Sequence, residues 1–163
     1  MSDRIAVMEN GKVLQVADPK TLYEAPSSRA VASFIGTMTL FEGRVAAVSE
    51  GSITVDTRAL GRLEVPRPAG APFGVGSSVL AAIRPEGLFL SRLAPAGASR
   101  PCRLVATAYF GDRSQFQVAL ESGPTPVTVA ASSSAQAAGE PFTVGEALHL
   151  SWRSEAIVLL PSD

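Results

Sequence analysis

One sixteen-residue pattern occurs twice in the chain, and this repeat restricts the fold more than any other feature of the sequence. The first copy is Val75–Leu90 and the second copy, 69 residues later, is Val144–Leu159. Each copy contains a glycine turn, an alternating apolar strand, a polar Arg-x-Glu corner and a short second apolar strand. The identical pairs are Val75/Val144, Gly76/Gly145, Arg84/Arg153, Glu86/Glu155 and Leu90/Leu159. The chain is therefore predicted to contain two related β-modules.

Residues 1–36 have a different pattern. Two apolar runs flank Asn10-Gly11, a pair that favours the type I′ turn of a β-hairpin. Asp18-Pro19 supplies an N-cap followed by proline at the first helical position, which predicts a short helix. Arg29–Ile35 follows a serine and precedes a glycine, and it predicts a second short helix. A hairpin and two short helices cannot enclose a core of their own, so we expect this segment to be the end of another domain or an arm that packs on one.

The remaining chain, residues 37–163, has the pattern of short strands separated by glycine and proline. Ala94–Pro101 is the clearest predicted linker, and it divides this region into halves at about 37–93 and 101–163. Ser132–Glu140 is predicted to be a small polar loop. Short, closely spaced strands favour small barrels or a sandwich. The strands predicted outside the repeats are Phe41–Val48, Ser52–Asp56, Gly61–Val65, Cys102–Phe110, Gln115–Leu120 and Pro126–Ala131.

The sequence offers little catalytic or metal-binding chemistry. A single histidine, His149, rules out a His-rich metal site or an H-E-x-x-H pair. A single cysteine, Cys102, rules out an intramolecular disulfide. Gly11-Lys12 lacks the earlier glycine and the strand–loop–helix context of a phosphate loop. We therefore assign no catalytic, cofactor-binding or metal-ligating residue.

Charge and hydropathy exclude two classes of partner. The chain has 14 basic and 15 acidic residues, and a net charge of −1 argues against a broad nucleic-acid-binding surface. An OB-fold that binds single strands needs a basic groove with stacking aromatics, whereas most of the aromatic residues occupy apolar strand positions. The chain has no apolar run of about 18 residues, so we expect no direct membrane insertion.

Nearly every position of residues 2–36 carries a resemblance to a known family. The likeness runs through Ser2–Val13, Gln15–Pro19, Leu22–Pro26 and Val31–Gly36, and these segments resemble the last part of the nucleotide-binding domain in ABC importer ATP-binding subunits of the polyamine, iron(III) and sugar type. The rest of the chain resembles the TOBE region of the same subunits, a transport-associated OB-like β-barrel. The segments that carry this second likeness are Val79–Leu90 with its Ile-Arg-Pro-Glu core, Tyr109-Phe110-Gly111-Asp112, and Gly145–Leu159.

The resemblance implies the fold class and the domains. We expect a mainly β protein made of OB-like TOBE barrel modules with an N-terminal β-hairpin and two short helices. Residues 1–36 would be the C-terminal remnant of a nucleotide-binding domain, and residues 37–163 would be the TOBE region. The phosphate-binding loop, signature motif, Mg²⁺-site strand and switch histidine of the family all precede the part that this chain resembles. The chain is therefore expected to be a truncated C-terminal region that holds no cofactor, whereas the full-length parent would use ATP and Mg²⁺.

The same resemblance implies a function. The chain would be a non-catalytic C-terminal regulatory and dimerisation region of an ABC transporter ATP-binding subunit that energises substrate import. Its expected partners are a second copy of itself and the membrane permease subunits, and its expected location is cytoplasmic, peripheral to the inner membrane. The alternative is a small-ligand or oxyanion-binding OB-like module, because the family is related to molybdate-type binding modules.

Two groups of residues are candidates for ligand or interface contacts. The first group is the repeated corner, which consists of Arg84, Glu86, Arg153 and Glu155. An Arg-x-Glu corner also caps turns and forms ion pairs, so a purely structural role stays open. The second group is Tyr109 and Asp112 in the sequence Tyr-Phe-Gly-Asp, for which a hairpin turn with an aromatic core anchor is the alternative interpretation.

Overall fold

The structure, a computed structural model, describes residues 2–68, 70–123, 126–132 and 140–162. Its N-terminal part consists of strands β1 (Ile5–Glu9) and β2 (Lys12–Ala17) and helices α1 (Pro19–Glu24) and α2 (Arg29–Ile35). Asn10 and Gly11 both have positive φ, 50° and 77°, as a type I′ turn requires. The side chains of Asp18 and Ser28 accept hydrogen bonds from the first turns of α1 and α2, respectively. The predicted hairpin and both helices are thus confirmed.

Ten further strands follow in the described part of the chain. They are β3 (Thr39–Val48), β4 (Ser52–Thr57), β5 (Gly61–Pro66), β6 (Ser78–Ile83), β7 (Leu88–Ser91), β8 (Ser99–Tyr109), β9 (Arg113–Ala119), β10 (Val127–Ser132), β11 (Ala147–Trp152) and β12 (Ile157–Pro161). All the strand pairs are antiparallel. The expected mainly β fold class is confirmed.

The strands form two equivalent five-stranded sheets that exchange one strand. The first sheet has the order β12-β6-β3-β4-β5, and the second has the order β10-β9-β8-β11-β7. Each sheet therefore takes four strands from one half of the chain and its fifth strand from the other half. The outer strands of each sheet also approach each other, β5 near β12 and β10 near β7, so both sheets curl into OB-like barrels.

The two sheets share one hydrophobic core. A single cluster of buried side chains includes Phe41 and Ile53 from the first sheet and Leu104 and Leu148 from the second. Burial of an aliphatic or aromatic side chain of this size contributes about 1.5–3 kcal/mol. Because the strand exchange and the core both join the halves, the barrels depend on each other for burial.

The internal repeat extends beyond the sixteen-residue pattern. Both β3 and β8 carry a bulge, at Val45/Ala47 and Leu104/Ala106. The Val45 N–H donates to the Ser77 carbonyl at 2.9 Å, and the Leu104 N–H donates to the Glu146 carbonyl at 3.0 Å. The turns before β6 and β11 each contain a glycine with positive φ, 86° at Gly76 and 90° at Gly145. The repeat is therefore one of backbone geometry as well as of sequence.

The structure tests one predicted loop in full and the other only at its ends. The predicted linker Ala94–Pro101 is wrong at its end, because Ser99–Pro101 already belong to β8 and pair with β11. Proline is tolerated there because β9 pairs only with Arg103–Tyr109, so β8 has no neighbour on its second side at Pro101. Most of the predicted loop Ser132–Glu140 lies outside the described residues.

The N-terminal segment packs on the first sheet. Ala32 of α2 lies in a small buried cluster with Leu80, Ala82 and Leu160, which belong to β6 and β12. A second small cluster joins the hairpin and the two helices through Val7, Leu22 and Val31. Within the described residues, no helix has the length and apolar character needed to span a bilayer.

The paired Arg-x-Glu corners as a candidate functional site

The two Arg-x-Glu segments are the points at which the chain crosses between the sheets. Each is a single 3₁₀ turn, Pro85–Gly87 between β6 and β7 and Ser154–Ala156 between β11 and β12. Each arginine stands just before its turn in an extended conformation, and its carbonyl accepts a hydrogen bond from the third residue of the turn, at 2.9 Å in one copy and 3.0 Å in the other. We call Arg84–Gly87 the first corner and Arg153–Ala156 the second corner.

The first corner binds the end of helix α1. Arg84 is buried, and its guanidinium donates two hydrogen bonds to the Tyr23 carbonyl, from Nε at 3.3 Å and from Nη2 at 2.8 Å. The last carbonyls of a helix lack partners within the helix, so Arg84 satisfies a group that the helix leaves open. The guanidinium also lies 3.7 Å from the centroid of the Tyr23 ring, a cation–π contact. The Tyr23 hydroxyl donates a hydrogen bond to the Glu86 carboxylate.

These contacts keep the Tyr23 hydroxyl in its protonated form. Partial burial, followed by the hydrogen bond and the negative charge of Glu86, raises the pKa of Tyr23 above its ordinary value, while the charge of Arg84 opposes the shift. The hydroxyl is therefore a donor throughout the neutral range. The first corner recognises one helix end through three groups of that helix: its carbonyl, its ring and its hydroxyl.

The second corner is open. Arg153 and Glu155 are exposed, and the guanidinium lies 5.0 Å from the centroid of the Phe89 ring on β7. Within the described residues, neither the Arg153 nor the Glu155 side chain makes a hydrogen bond or an ion pair. Phe89 is therefore the one aromatic contact of Arg153 among the described residues. The guanidinium N–H groups of Arg153 donate no hydrogen bond to the described residues.

Both corners face one cavity of about 470 Å³. The cavity is lined by Arg84, Glu86, Arg153 and Glu155, together with Tyr23 and Glu24 of α1. The four corner residues singled out from the sequence are thus brought together in space. The two turns also pack closely, because a Cβ built on Gly87 would lie 2.8 Å from the Ala156 Cβ.

Tyr109 and Asp112 lie elsewhere, at the turn between β8 and β9, and do not line this cavity. Tyr109 is 72% exposed and Phe110 is 56% exposed. The alternative interpretation is therefore correct in its hairpin turn, which joins the antiparallel strands β8 and β9, and wrong in its aromatic core anchor. The two aromatic side chains at the end of this hairpin are therefore largely exposed rather than part of the core.

Sequence reasoning missed two aromatic residues of the site, Tyr23 and Phe89. The sequence does contain a sign of the contact with the N-terminal segment. Leu80 and Ala82 are apolar, whereas the equivalent positions of the second repeat are His149 and Ser151. An apolar outer face on β6 alone indicates that something covers the first repeat and not the second.

The described residues contain no group of three or more His, Cys, Asp or Glu side chains that could hold a metal ion. Cys102 is buried in the shared core, and burial raises the pKa of its thiol to about 11. The thiol is therefore protonated at neutral pH and is a poor nucleophile. The chemistry available at the corners is hydrogen bonding, ion pairing and cation–π contact.

Comparison with known proteins adds three findings. Residues 81–160 match the TOBE domain family. The chain is 40% identical, over 98% of its own length and 41% of the relative, to the spermidine/putrescine import ATP-binding protein PotA of Rubrobacter xylanophilus. It is 32% identical, over 98% of its length and 42% of the relative, to the putrescine transport ATP-binding protein PotG of Escherichia coli. The chain thus spans about two-fifths of the length of these relatives.

A solved structure supports the fold. The cytoplasmic molybdate-binding protein ModG, crystallised with molybdate bound, superposes with a TM-score of 0.61, covering 84% of this chain and 99% of that chain. The sequence identity of this pair is 15%, so the likeness concerns the fold.

Proposed function

We propose that this chain, which matches the TOBE-containing part of ABC importer ATP-binding subunits, is a non-catalytic regulatory and dimerisation region. Its relative in Rubrobacter xylanophilus is an import ATP-binding protein, and its relative in Escherichia coli is a transport ATP-binding protein. ATP hydrolysis, transported substrate and Mg²⁺ would belong to the full-length subunit, and this chain would hold no cofactor.

The contact between the first corner and α1 carries the regulatory part of the proposal. Residues 2–36 resemble the end of a nucleotide-binding domain, and α1 lies within them. Arg84 and Glu86 belong to the TOBE barrel, and both contact Tyr23. Any rearrangement of the barrel that moves this corner therefore acts directly on the nucleotide-binding side.

A chimaera tests the regulatory role. The chain would replace the matching part of the Rubrobacter xylanophilus protein, and ATP hydrolysis would be compared for the chimaera and its Arg84→Ala and Arg153→Ala variants. We expect Arg84→Ala to change the hydrolysis rate and Arg153→Ala to leave it unchanged. Equal rates in all three proteins would contradict a regulatory role for the first corner. Hydrolysis by the isolated chain that scales with its concentration would contradict the non-catalytic assignment.

Exposed apolar side chains in the N-terminal segment support the dimerisation part. Met8 and Val13 of the hairpin are 57% and 56% exposed, and Phe34 of α2 is 70% exposed. Exposed apolar surface favours association, and Met8 and Val13 are neighbours across the hairpin. We propose a homodimer in which these segments are buried or exchanged.

Light scattering after size exclusion tests this dimer. Phe34→Ser should shift the chain toward monomer. Leu93→Ser is the matched control, because Leu93 is 82% exposed and lies outside the N-terminal segment. A wild-type monomer, or equal effects of the two substitutions, would contradict the proposed interface.

The remaining partners follow from the same proposal. Through the full-length subunit the chain would associate with membrane permease subunits, on the cytoplasmic side of the inner membrane, and it would not bind nucleic acid. Co-purification of the chimaera with the permease subunits of the Rubrobacter importer tests this association. Loss of that co-purification in a correctly folded chimaera would contradict it.

The alternative function is a small-ligand or oxyanion-binding module. Two observations favour it: the fold is similar to that of a molybdate-binding protein, and the cavity of about 470 Å³ presents guanidinium groups. A volume of this size is typical of small-molecule sites. Calorimetry with molybdate and with spermidine tests it, and the absence of heat at millimolar ligand would count against this function.

A further inference from the structure

We propose that the second corner is a docking site for a short peptide turn of another protein, one that presents a free main-chain carbonyl and a tyrosine ring. The proposal concerns Arg153 and Glu155 and rests on the geometry of the two corners. It does not depend on the assignment to an importer.

The first step is the equivalence of the two corners. Arg84 and Arg153 have similar backbone conformations, with φ and ψ of −77° and 154° in the first corner and −95° and 136° in the second. Each precedes a one-turn 3₁₀ helix with a glutamate in its first turn. The arginine and the glutamate therefore stand on the same local backbone geometry in both copies.

The second step is the occupant of the first corner, which shows what such a corner recognises. The bound element is the end of α1, a helix of six residues. Recognition uses the Tyr23 carbonyl for the guanidinium donors, the Tyr23 ring for its face, and the Tyr23 hydroxyl for the Glu86 carboxylate. Arginine suits this recognition because the guanidinium is planar. The N–H groups at its edge donate hydrogen bonds to a carbonyl while its flat face stacks on an aromatic ring.

The third step is the availability of the same groups at the second corner. Arg153 and Glu155 are exposed and make no polar contact with the described residues. Phe89 of β7 is itself 39% exposed, and its ring centroid lies 5.0 Å from the guanidinium. The exposed guanidinium is therefore accessible to a partner from solvent.

The fourth step is space. The cavity of about 470 Å³ lies between the α1 residues Tyr23 and Glu24 and the second corner. It is large enough for an aromatic side chain and part of a peptide turn. The outer face of β11 beside this corner carries His149 and Ser151, so it lacks the apolar platform on which α2 rests in the first repeat. The occupant is therefore a short turn and not a longer apolar helix.

The chain itself supplies the probe. A synthetic peptide of residues 18–26 with blocked termini reproduces the α1 turn, including Tyr23 and its carbonyl. Trp152 is the single tryptophan of the chain, is half-buried and directly precedes Arg153, so its fluorescence reports on the second corner. The peptide contains no tryptophan. Titration into the full chain should give a saturable change in this fluorescence.

Variants of both components decide the outcome. Loss of a charge-assisted hydrogen bond should weaken binding about tenfold or more in Arg153→Ala and in a peptide with Tyr23→Ala. Glu155→Gln should weaken it less. Arg113→Ala is the control arginine, because it lies on β9, and it should bind as the wild type does. Circular dichroism verifies that each variant is folded.

Four results would overturn the proposal. Absence of saturable binding is the first, and equal binding of the wild-type and Tyr23→Ala peptides is the second. The third is dependence on Arg84 but not on Arg153, which would mean that the peptide displaces the chain's own α1 from the first corner. Binding of molybdate alone, with loss in Arg153→Ala and no effect of the peptide, would assign the corner to the oxyanion alternative and would also overturn this inference.

Discussion

The two repeats have the same backbone and different surfaces. On β6 the residues from Val79 to Ile83 are all buried, because α2 covers the side of the strand that faces away from the barrel. On β11 buried and partly exposed residues alternate after Ala147, and neither helix of the described chain belongs to a buried cluster with this strand. Leu80 and Ala82 in the first repeat correspond to His149 and Ser151 in the second.

This difference shows that the Arg-x-Glu motif does not determine its own role. In the first repeat the apolar face of β6 holds α2, which brings α1 within reach of Arg84. In the second repeat the outer face of β11 carries the polar residues His149 and Ser151, neither described helix packs there, and Arg153 is exposed. The same corner therefore makes a buried contact with α1 in the first copy and is exposed to solvent in the second copy. The predictions below test this comparison, beginning with the largest expected effect.

The close packing of the two corners should dominate stability. Gly87→Ala would place a methyl group 2.8 Å from the Ala156 Cβ and 3.3 Å from Ile83 Cγ2. Overpacking of this kind costs about 1–3 kcal/mol, and we expect about 3 kcal/mol because the neighbouring atoms belong to short side chains or buried positions. Urea unfolding measures the change.

A reciprocal exchange is the control for this prediction. Gly87→Ala combined with Ala156→Gly moves the methyl group from one corner to the other and should recover most of the lost stability. Equal destabilisation in the single and double variants would show that the clash between the corners is not the cause.

Loss of the arginine should have unequal effects in the two repeats. Arg84→Ala leaves the partly buried Tyr23 carbonyl without its two donors, which should cost about 2 kcal/mol. Arg153→Ala removes an exposed side chain and should cost less than about 0.5 kcal/mol. Urea unfolding compares the two variants.

Limited proteolysis shows which segment of the chain loses stability in each arginine variant. Trypsin cleaves after Lys12 and Lys20, which lie in the segment that Arg84 holds in place. Cleavage there should be faster in Arg84→Ala than in Arg153→Ala, because local opening exposes the chain. Similar cleavage rates in the two variants would contradict the claim that Arg84, and not Arg153, holds the N-terminal segment against the barrel.

Much of this arrangement could be predicted from the sequence. The repeat, the Asn10-Gly11 hairpin and the two capped helices depend on local turn chemistry and periodicity, which act over a few residues. The exchange of β7 and β12 between the sheets could not be predicted. Both are short apolar strands that follow equivalent corners, so their hydrophobic patterns suit either sheet equally well. The contact of Tyr23 with Arg84 could not be predicted either, because the two residues are 61 positions apart in the sequence and local patterns do not report on such a contact.

The tyrosine hydroxyl should make a smaller contribution that depends on pH. Tyr23→Phe keeps the ring beneath the Arg84 guanidinium and removes the hydrogen bond to Glu86, which should cost about 0.5 kcal/mol near neutral pH. The pKa of Tyr23 is raised in the folded state, so its contribution is fully present below its ordinary value of 10.0 and is lost as the pH rises through the higher folded value. The stability difference between Tyr23→Phe and the wild type should therefore shrink above about pH 10. A difference that stays constant in urea unfolding at pH 7 and at alkaline pH would show that the hydroxyl does not interact with Glu86.

The turns that precede the two repeat strands should differ least, and only in acid. In the first repeat Ser77 Oγ accepts the Gly74 N–H at 3.1 Å, and in the second repeat Glu146 Oε2 accepts the Thr143 N–H at 2.9 Å. The hydrogen bond from Arg92, followed by that from the Thr143 N–H, lowers the pKa of Glu146 below its ordinary value of 4.5. The contribution of this carboxylate is therefore present above pH 4.5 and is lost as the pH falls through the lower folded value.

Amide exchange by NMR compares these two turns within one molecule. On acidification below pH 4.5, the Thr143 amide should lose protection while the Gly74 amide keeps it, because serine does not titrate in this range. Glu146→Gln should remove the difference in acid sensitivity, since an uncharged amide oxygen accepts the same hydrogen bond at every pH. Parallel loss of protection at both amides would instead mean that acid opens the two repeats together, and that the shared core, not the local side chain, sets the stability of each turn.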